Sequence, residues 1–408
     1  MRIFIIKVCS IAIILSITCI FWAQAQFFKQ PETFIVDMAV LQASKKNILN
    51  GDEALKEALD NLVAEADESL LHRPYSVVYK SKIPPSGSKH DYMSVGPYWW
   101  PDTTKANGLP YIRRDGEENP ERHTIKDADY LKALAHDVKL LGLTFYFTED
   151  EKYAQHAASL LKTWFLNKET KMNPNLNFGQ AIPGITEGRG IGLIDTKPLV
   201  DVVDGVQLIK NSKAWTSSDH KELLKWFKEF MTWMMTSTLG KDELDEHNNH
   251  GTYYDLQVVS FALFTNQKEL ARKIIMEQTI PRIAEQIKQD GSQPHELART
   301  KSWGYASMNL KGFFGLARLS EHLEIDLWNY ETSDHKSIKK AFEWMLPYVK
   351  EELQWTYQQI EPIQWKSFLP LIIIAEPHYP NLDLTPVINK LKTENSNSVL
   401  FITHSVFY

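Results

Sequence analysis

Hydrophobic residues recur along most of the chain at the three- and four-residue intervals of an amphipathic helix. One such stripe contains Leu131, Leu134, Val138, Leu141 and Phe145. A period of 3.6 residues places these side chains on one helix face, which must be buried against a neighbour. Similar stripes and apolar runs predict further helices near residues 33–46, 52–71, 150–166, 196–210, 223–234, 252–265, 270–287, 304–323 and 338–349.

Alternation of apolar and polar residues, which is typical of a half-buried strand, is almost absent before the last dozen residues. There the segment SNSVLFITHSVFY, residues 396–408, is partly strand-like, and we assign it no function. The pattern therefore predicts an all-α chain of about ten to fourteen helices in antiparallel pairs. Because the helices share no fixed sequence period, a regular solenoid is not expected.

Two long segments, residues 80–124 and 172–196, lack helical periodicity. Loops of this length inside a compact domain are either functional or disordered. Disorder fits poorly, because the first loop carries Tyr98, Trp99 and Trp100 in succession. Aromatic loops above a helical scaffold predict a cleft in which the rings could stack on sugars. Filling one end of a helical barrel is the alternative role for these rings.

The N-terminus has the pattern of an export signal. Arg2 and Lys7 precede an apolar run over residues 8–22, and Ala-Gln-Ala follows at residues 23–25. This order of charge, apolar run and small residues predicts a secretory signal peptide over residues 1–25, with an uncleaved anchor as the alternative. We therefore expect one domain over residues 26–408, a periplasmic or secreted location, and no membrane contact after cleavage.

Composition narrows the chemistry further. Cys9 and Cys19 both lie in the expected leader, so the mature chain would have no disulfide, thiolate metal site or cysteine nucleophile. The formal net charge of -6 and the absence of a basic block argue against a nucleic-acid partner. Nothing in the composition indicates the oligomeric state.

The stretch HNNHGTYYDLQ, residues 247–257, is the first cluster of polar side chains that could carry chemistry. His247 and His250 are three residues apart and could share a helix face, as metal ligands do. An HExxH pattern is absent and no third ligand is obvious, so we expect no metal. Asn248 or Asn249 is a suitable N-cap for the helix that follows. Capping does not explain why His250 stands beside Asn249.

The second cluster lies in DGSQPHELARTKSWGYASMN, residues 290–309. Glu296, Arg299 and Tyr305 fall within ten residues, directly before an apolar helix. A Glu–Arg surface pair and a core tyrosine are the ordinary alternative, because exposed charge pairs are common.

Taken together, the two clusters resemble the alginate lyase superfamily, the helical-toroid polysaccharide lyases. Members carry Asn-Asn-His at the start of an inner helix, and later Glu-Leu-x-Arg followed by a tyrosine. Here these are residues 248–250, residues 296–299 and Tyr305. The loops around GPYWWPD and NPNLNFGQAIPG resemble the form found in Bacteroidetes, and the resemblance extends over about residues 40–375. It implies an (α/α) toroid, complete or incomplete, and no cofactor.

One difference from the family concerns the tyrosine. Tyr305 follows Arg299 by six residues, one fewer than in the mannuronate-specific alginate lyases. The difference bears on the substrate more than on the reaction. Alginate, polymannuronate and glucuronan are the leading substrates, and the sequence leaves the preferred uronate and endo or exo attack open.

The implied reaction is a β-elimination, and it explains why these residue types are needed. The C5 proton is too weakly acidic while the neighbouring carboxylate is ionised, so Asn249 and Arg299 would neutralise that carboxylate. His250, whose residue type has a pKa near neutrality, suits the base, and Tyr305 suits the acid. One tyrosine could do both, with Tyr253 and Tyr254 as weaker candidates.

The remaining expectations concern substrate contacts and alternative functions. Binding of an anionic polysaccharide is assigned to Tyr98, Trp99, Trp100, Arg113, Gln180, Arg189, Tyr253, Tyr254 and Glu296. Arg114 and Arg122 could meet further carboxylates. A glycoside hydrolase on a similar barrel would need two facing carboxylates. Candidates for that pair are Asp201, Asp204, Asp255 and Glu296. A non-catalytic glycan-binding protein is the other alternative.

Overall fold

The computed structural model describes residues 31–394, 399–404 and 408. The expected leader over residues 1–25, with both cysteines, lies outside the described residues. Within the described part, no helix is both long enough and apolar enough to cross a membrane.

The described residues are mostly helical, as the hydrophobic pattern predicts, and form sixteen α-helices. The first eight are α1 Met38–Leu49, α2 Glu53–Ser69, α3 Asp127–Thr148, α4 Glu151–Leu161, α5 Leu199–Ile209, α6 Ser217–Thr236, α7 Thr238–Leu244 and α8 Asn249–Phe264. The others are α9 Lys268–Ile274, α10 Ile280–Gln286, α11 Pro294–Leu297, α12 Ser302–Glu321, α13 Ile338–Val349, α14 Leu369–Ala375, α15 Thr385–Glu394 and α16 Leu400–Thr403. Two of them are single turns and four have only seven residues, so the number exceeds the ten to fourteen expected.

The helices form an inner and an outer layer. Every residue of α5 is buried, and in α8 every residue except His250 is buried. A helix that is buried on all sides lies inside the molecule. By contrast, α6 buries one stripe that includes Trp226, Phe230 and Met234, as an outer helix does. Short connections between neighbours such as α3 and α4 make consecutive helices antiparallel.

Glycines let two inner helices meet backbone to backbone. A Cβ added to Gly142 in α3 would lie 2.8 Å from the carbonyl oxygen of Gly205 in α5. A Cβ added to Gly205 would lie 2.7 Å from the carbonyl oxygen of Val138. Any side chain at either position would push these helices apart, so glycine is required at this crossing.

Buried charges connect both ends of the described chain to α5. The Asp204 carboxylate accepts the backbone N–H groups of residues 34–36 at 2.7, 2.9 and 2.6 Å. Asp201 pairs with Lys139 at 2.8 Å and accepts the backbone N–H of Tyr408 at 2.6 Å. These bonds compensate charges that would otherwise be costly to bury.

The two long loops contain short strands that the sequence pattern did not indicate. In the first loop, β1 is Met93–Val95, β2 is Trp99–Trp100 and β3 is Ile112–Arg113. Strand β4, Phe178–Ala181, belongs to the second loop and pairs in parallel with β1, while β2 and β3 pair antiparallel. Strands of two to four residues are too short to produce a recognisable alternation. Their pairing joins the two loops above the helices.

Two local expectations were wrong. The C-terminal segment forms helix α16 at Leu400–Thr403 and no strand within its described residues, because a short apolar run suits either structure. The apolar stripe over residues 270–287 does not form one regular helix. A π-helical segment, Ile275–Thr279, separates α9 from α10.

Candidate active site

A cavity of about 770 Å³ opens between the two long loops and the inner helices. Its walls come from the first loop, the second loop, the start of α8 and one face of α12. Its lining includes Tyr98, Trp99, Arg113, Arg122, Lys132, Gln180, Arg189, Asp195, Lys197, Asn249, His250, Arg299, Tyr305, Met308, Lys311 and Tyr408. The two sequence clusters, fifty residues apart, therefore meet in one cavity.

Asn249 is the first residue of α8 and is held by Glu296. Its predecessor Asn248 caps the helix by accepting the backbone N–H of His250 at 2.9 Å, which confirms the predicted cap. The two oxygens of Glu296 accept the backbone N–H of Asn249 at 2.6 Å and its Nδ2–H at 2.8 Å. Glu296 is only 1% exposed and does not line the cavity. Glu296 therefore orients Asn249, which corrects its expected role as a substrate contact.

His250 is oriented by a glutamate on α7. Its Nδ1 lies 2.9 Å from Oε1 of the fully buried Glu243, so Nδ1 donates to that carboxylate and Nε2 is left for the cavity. Burial alone would lower the pKa of His250, but the charge and hydrogen bond of Glu243 outweigh burial and raise it. The pairing therefore favours the imidazolium form.

Arg299 is anchored to the first loop by Asp115. Its Nε and Nη2 donate to the two oxygens of Asp115 at 3.1 and 2.7 Å. Burial raises the pKa of Asp115, but hydrogen bonds and charge from Arg299 outweigh it and bring that pKa to about 2. Next to it, Gly116 has φ +78°, and a Cβ there would lie 2.3 Å from Oγ1 of Thr300. Arg299 thus joins the loop to the floor of the cavity.

Tyr305 stands between Arg299 and Tyr98. Nη2 of Arg299 donates to the Tyr305 hydroxyl at 2.7 Å, and that hydroxyl donates to the hydroxyl of Tyr98 at 2.7 Å. The guanidinium also lies 3.7 Å from the Tyr305 ring centroid. Burial and the contact with Tyr98 raise the pKa of Tyr305, while Arg299 acts to lower it. In the absence of substrate the phenol is therefore protonated at neutral pH, and it is hydrogen-bonded to both Arg299 and Tyr98.

The second loop contributes a hydrogen-bonded unit of Gln180 and Arg189. Arg189 donates to the backbone oxygen and to Oε1 of Gln180, both at 2.9 Å, and its guanidinium lies 5.7 Å from the Trp99 ring. Gln180 donates through Nε2 to Asp195 at 2.8 Å and has φ +47°. A non-glycine residue held in the left-handed region is typical of functional sites. Burial lowers the pKa of Arg189 to about 10, so it remains charged.

Three further predicted substrate contacts, besides Glu296, lie away from the cavity. Tyr253 and Tyr254 are each 1% exposed, and their hydroxyls donate to the backbone oxygens of Met308 and Met234. Both tyrosines lie on the fully buried part of α8, which explains why neither reaches the cavity. Trp100 does not line the cavity; its Nε1 donates to the backbone oxygen of Glu117, and Arg114 lies over its ring. Trp99, Tyr98 and Arg113 do line it.

The carboxylates proposed for a hydrolase do not face each other across the cavity. Asp201 and Asp204 are buried residues of α5 that bind Lys139 and the backbone N–H of Ile35, respectively. Asp255 pairs with Arg282 at 2.9 Å. Among the described residues, no group of three or more His, Cys, Asp or Glu side chains is placed to hold a metal ion.

Sequence reasoning missed Glu243, Asp115 and the lysines of the cavity. Glu243 precedes His250 by seven residues on another helix, and Asp115 is 184 residues from Arg299. No local spacing marks either pair. The sequence offered one indication of the lysines: Lys311 lies among the apolar residues of α12, where a charged side chain is unusual.

Comparisons with known proteins identify the family. The alginate lyase family model matches residues 76–355. A crystal structure of an alginate lyase from Bacteroides ovatus is 36% identical, with a TM-score of 0.88, and the match covers 92% of this chain and 100% of that one. Alginate lyase A1-III from Sphingomonas species A1 shares the fold with a TM-score of 0.55 and 16% identity, over 86% of this chain and 90% of that one. No curated protein sequence matches the chain.

These matches confirm the expected all-α toroid of helix pairs and the enzyme class. They cover the inner helices, both long loops and all four motif residues in the cavity. The chain belongs to the alginate lyase family and is a polysaccharide lyase.

Proposed function

We propose that this lyase cleaves a polyuronate, polymannuronate-type alginate or glucuronan, by β-elimination and leaves 4,5-unsaturated uronate ends. The observation that carries the proposal is the meeting of Asn249, His250, Arg299 and Tyr305 in one cavity with further cations. An anionic sugar chain suits such a surface, because cations in a partly enclosed cavity attract anions strongly.

The first step is neutralisation of the C5 carboxylate. Nδ2 of Asn249 has a second hydrogen beyond the one given to Glu296, and its buried Oδ1 has no partner among the described residues. The imidazolium of His250 adds positive charge beside it. Arg299, although held by Asp115, contributes charge at the same wall. Donors fixed in this way stabilise the enolate-like transition state without reorganising.

The proton transfers fall to Tyr305. Its hydroxyl is fixed by Arg299 and Tyr98, and the nearby guanidinium stabilises the phenolate that Tyr305 must form before it can accept the C5 proton. Because Glu243 favours the charged form of His250, Tyr305 is the better candidate for both transfers: its phenolate takes the C5 proton, and the phenol so formed gives that proton to the leaving oxygen. A neutral His250 would instead act as the base through Nε2.

Turnover on a panel of polymers tests the proposal. Purified protein is incubated with polymannuronate, polyguluronate, glucuronan and hyaluronan, and the ultraviolet absorbance of the unsaturated product is followed. We expect a rise with polymannuronate or glucuronan, and the initial rates rank the substrates. New reducing ends without absorbance would show a hydrolase, and binding without turnover would show a glycan-binding protein; either result refutes the proposal.

We also propose that the enzyme is exported, on the strength of the leader pattern over residues 1–25. N-terminal sequencing of protein expressed with its leader in a Gram-negative host should begin at residue 26. A start at residue 1 in a membrane fraction would indicate an anchor instead.

A further inference from the structure

One end of the cavity is closed by Tyr408. Lys311 and Tyr408 line both this cavity and a smaller pocket behind it, which Ile35 and Phe314 also line. The two side chains therefore form the wall between the two spaces. Nζ of Lys311 lies 4.7 Å from the Tyr408 ring centroid, and the Tyr408 backbone N–H is bound by Asp201. This wall gives the cavity a fixed inner end.

Lys197 lies at this inner end and forms no ion pair within the described part of the chain. Its Nζ lies 4.9 Å from the Tyr253 ring centroid and 3.5 Å from Sδ of Met308. Nearby Asp195 already accepts hydrogen bonds from Tyr92, Ser94 and Gln180. The Lys197 ammonium group thus faces a cavity with its nearest carboxylates already engaged.

Burial and the charge of a neighbouring lysine lower the pKa values of both Lys197 and Lys311. Burial, followed by the charge of Lys132, lowers the pKa of Lys197 to about 8. Burial, followed by the charge of Lys197, lowers the pKa of Lys311 to about 7. A partly desolvated cation such as Lys197, with no carboxylate at ion-pair distance among the described residues, becomes more favourable when an anion binds beside it.

Lys311 lies farther along α12 than Tyr305. Tyr305, Met308 and Lys311 follow each other at three-residue intervals on α12, and all three line the cavity. A rise of about 1.5 Å per residue places Lys311 about 9 Å beyond Tyr305 along the helix. A carboxylate at the lysines therefore belongs to a different uronate from the one that loses its C5 proton.

We propose that Lys197 and Lys311 form a second carboxylate-binding subsite at the closed end of the cavity, with Tyr408 as its end wall. The subsite takes the carboxylate of a uronate next to the cleaved unit in the chain. The identity of this ligand rests on the function proposed above. The bond expected is a charge-assisted hydrogen bond from each ammonium group to the carboxylate.

Binding measurements that need no turnover test this subsite. Calorimetry is done on protein inactivated by Tyr305→Phe, with the trisaccharides of mannuronate and glucuronate, and with mannotriose and cellotriose as uncharged counterparts. Adding Lys197→Gln should weaken binding of the acidic trisaccharide at least about tenfold, the value of one hydrogen bond to a charged group. Binding of the uncharged sugars should not change, and Lys197→Arg should restore most of the affinity.

The matched control is Lys225→Gln, which removes the same charge from the exposed face of α6. Equal affinities of the Lys197→Gln and control proteins would overturn the subsite, provided both melt at the same temperature. Lys311→Gln is the second variant if Lys197→Gln fails to fold. No binding of either acidic trisaccharide by the Tyr305→Phe protein would also overturn it. Failure of the proposed function appears separately, as wild-type protein that turns over no polyuronate.

Discussion

Glu296→Gln tests whether Asn249 must be held in place for the reaction. The substitution keeps the size of the side chain and removes only its charge and one acceptor. Glu296 is buried behind Asn249 and does not line the cavity, so the change leaves the substrate-facing surface intact. A loss of rate therefore passes through Asn249 or through the charge that Glu296 places near His250 and Arg299.

The expected loss of rate follows from the two hydrogen bonds that Glu296 accepts from Asn249. The carboxylate accepts the Asn249 backbone N–H at 2.6 Å and Nδ2–H at 2.8 Å. A glutamine offers one oxygen and one NH₂ group, so one Asn249 donor would face another donor. The lost bond to a charged group is worth about 1.5–3 kcal/mol. If that energy is expressed in the transition state, the rate falls by a factor of about 10 to 150.

Steady-state kinetics on the best polyuronate measures this loss. We expect kcat to fall by that factor while KM changes little, because Asn249 acts on charge that develops in the transition state. Glu222→Gln, on the exposed face of α6, is the control for the charge change. A kcat within twofold of the control, in protein that melts normally, would refute the role assigned to Glu296.

Three further predictions concern other groups. Tyr305→Phe should lower kcat by at least about a hundredfold with little effect on trisaccharide affinity; near-normal turnover would contradict its acid and base roles. Glu243→Gln should lower the pKa of His250, because Glu243 raises it and burial remains. In the pH–rate profile, the alkaline limb then moves to lower pH if His250 acts as a cation, and the acid limb moves to lower pH if His250 is the base. A profile in which neither limb moves would show that the pairing with Glu243 does not matter. Asp204→Asn should lower the free energy of unfolding by about 1.5–3 kcal/mol in denaturant titration, since three backbone N–H groups lose a carboxylate partner; an unchanged midpoint would refute this.

Much of the site was visible in local sequence patterns. The N-cap at Asn248 places Asn249 and His250 in the first turn of α8, so their backbone positions follow from that helix. The spacing from Arg299 to Tyr305 likewise depends on one short segment before and within α12. Residues positioned by their own helix can be predicted, because helix geometry follows from nearby residues.

The partners of these residues could not be predicted in this way. Asp115, Glu243 and Glu296 reach the motif residues from other elements, and Trp100 and Tyr253 point away from the cavity despite promising positions. The expected strand at the C-terminus failed for a related reason, since a short apolar run takes the structure of the surface it meets.

Hydrophobic periodicity was enough to predict a helical chain with two long loops, and the resemblance to the alginate lyase superfamily supplied four residues that line the cavity. The closed end of the cavity, the hold of Glu296 on Asn249 and the anchoring of Arg299 by Asp115 arise only when distant segments meet. Lys311 and Tyr408 show the reason most clearly. Their contact joins an inner helix to the end of the chain, and such contacts depend on how the helices pack around a common centre.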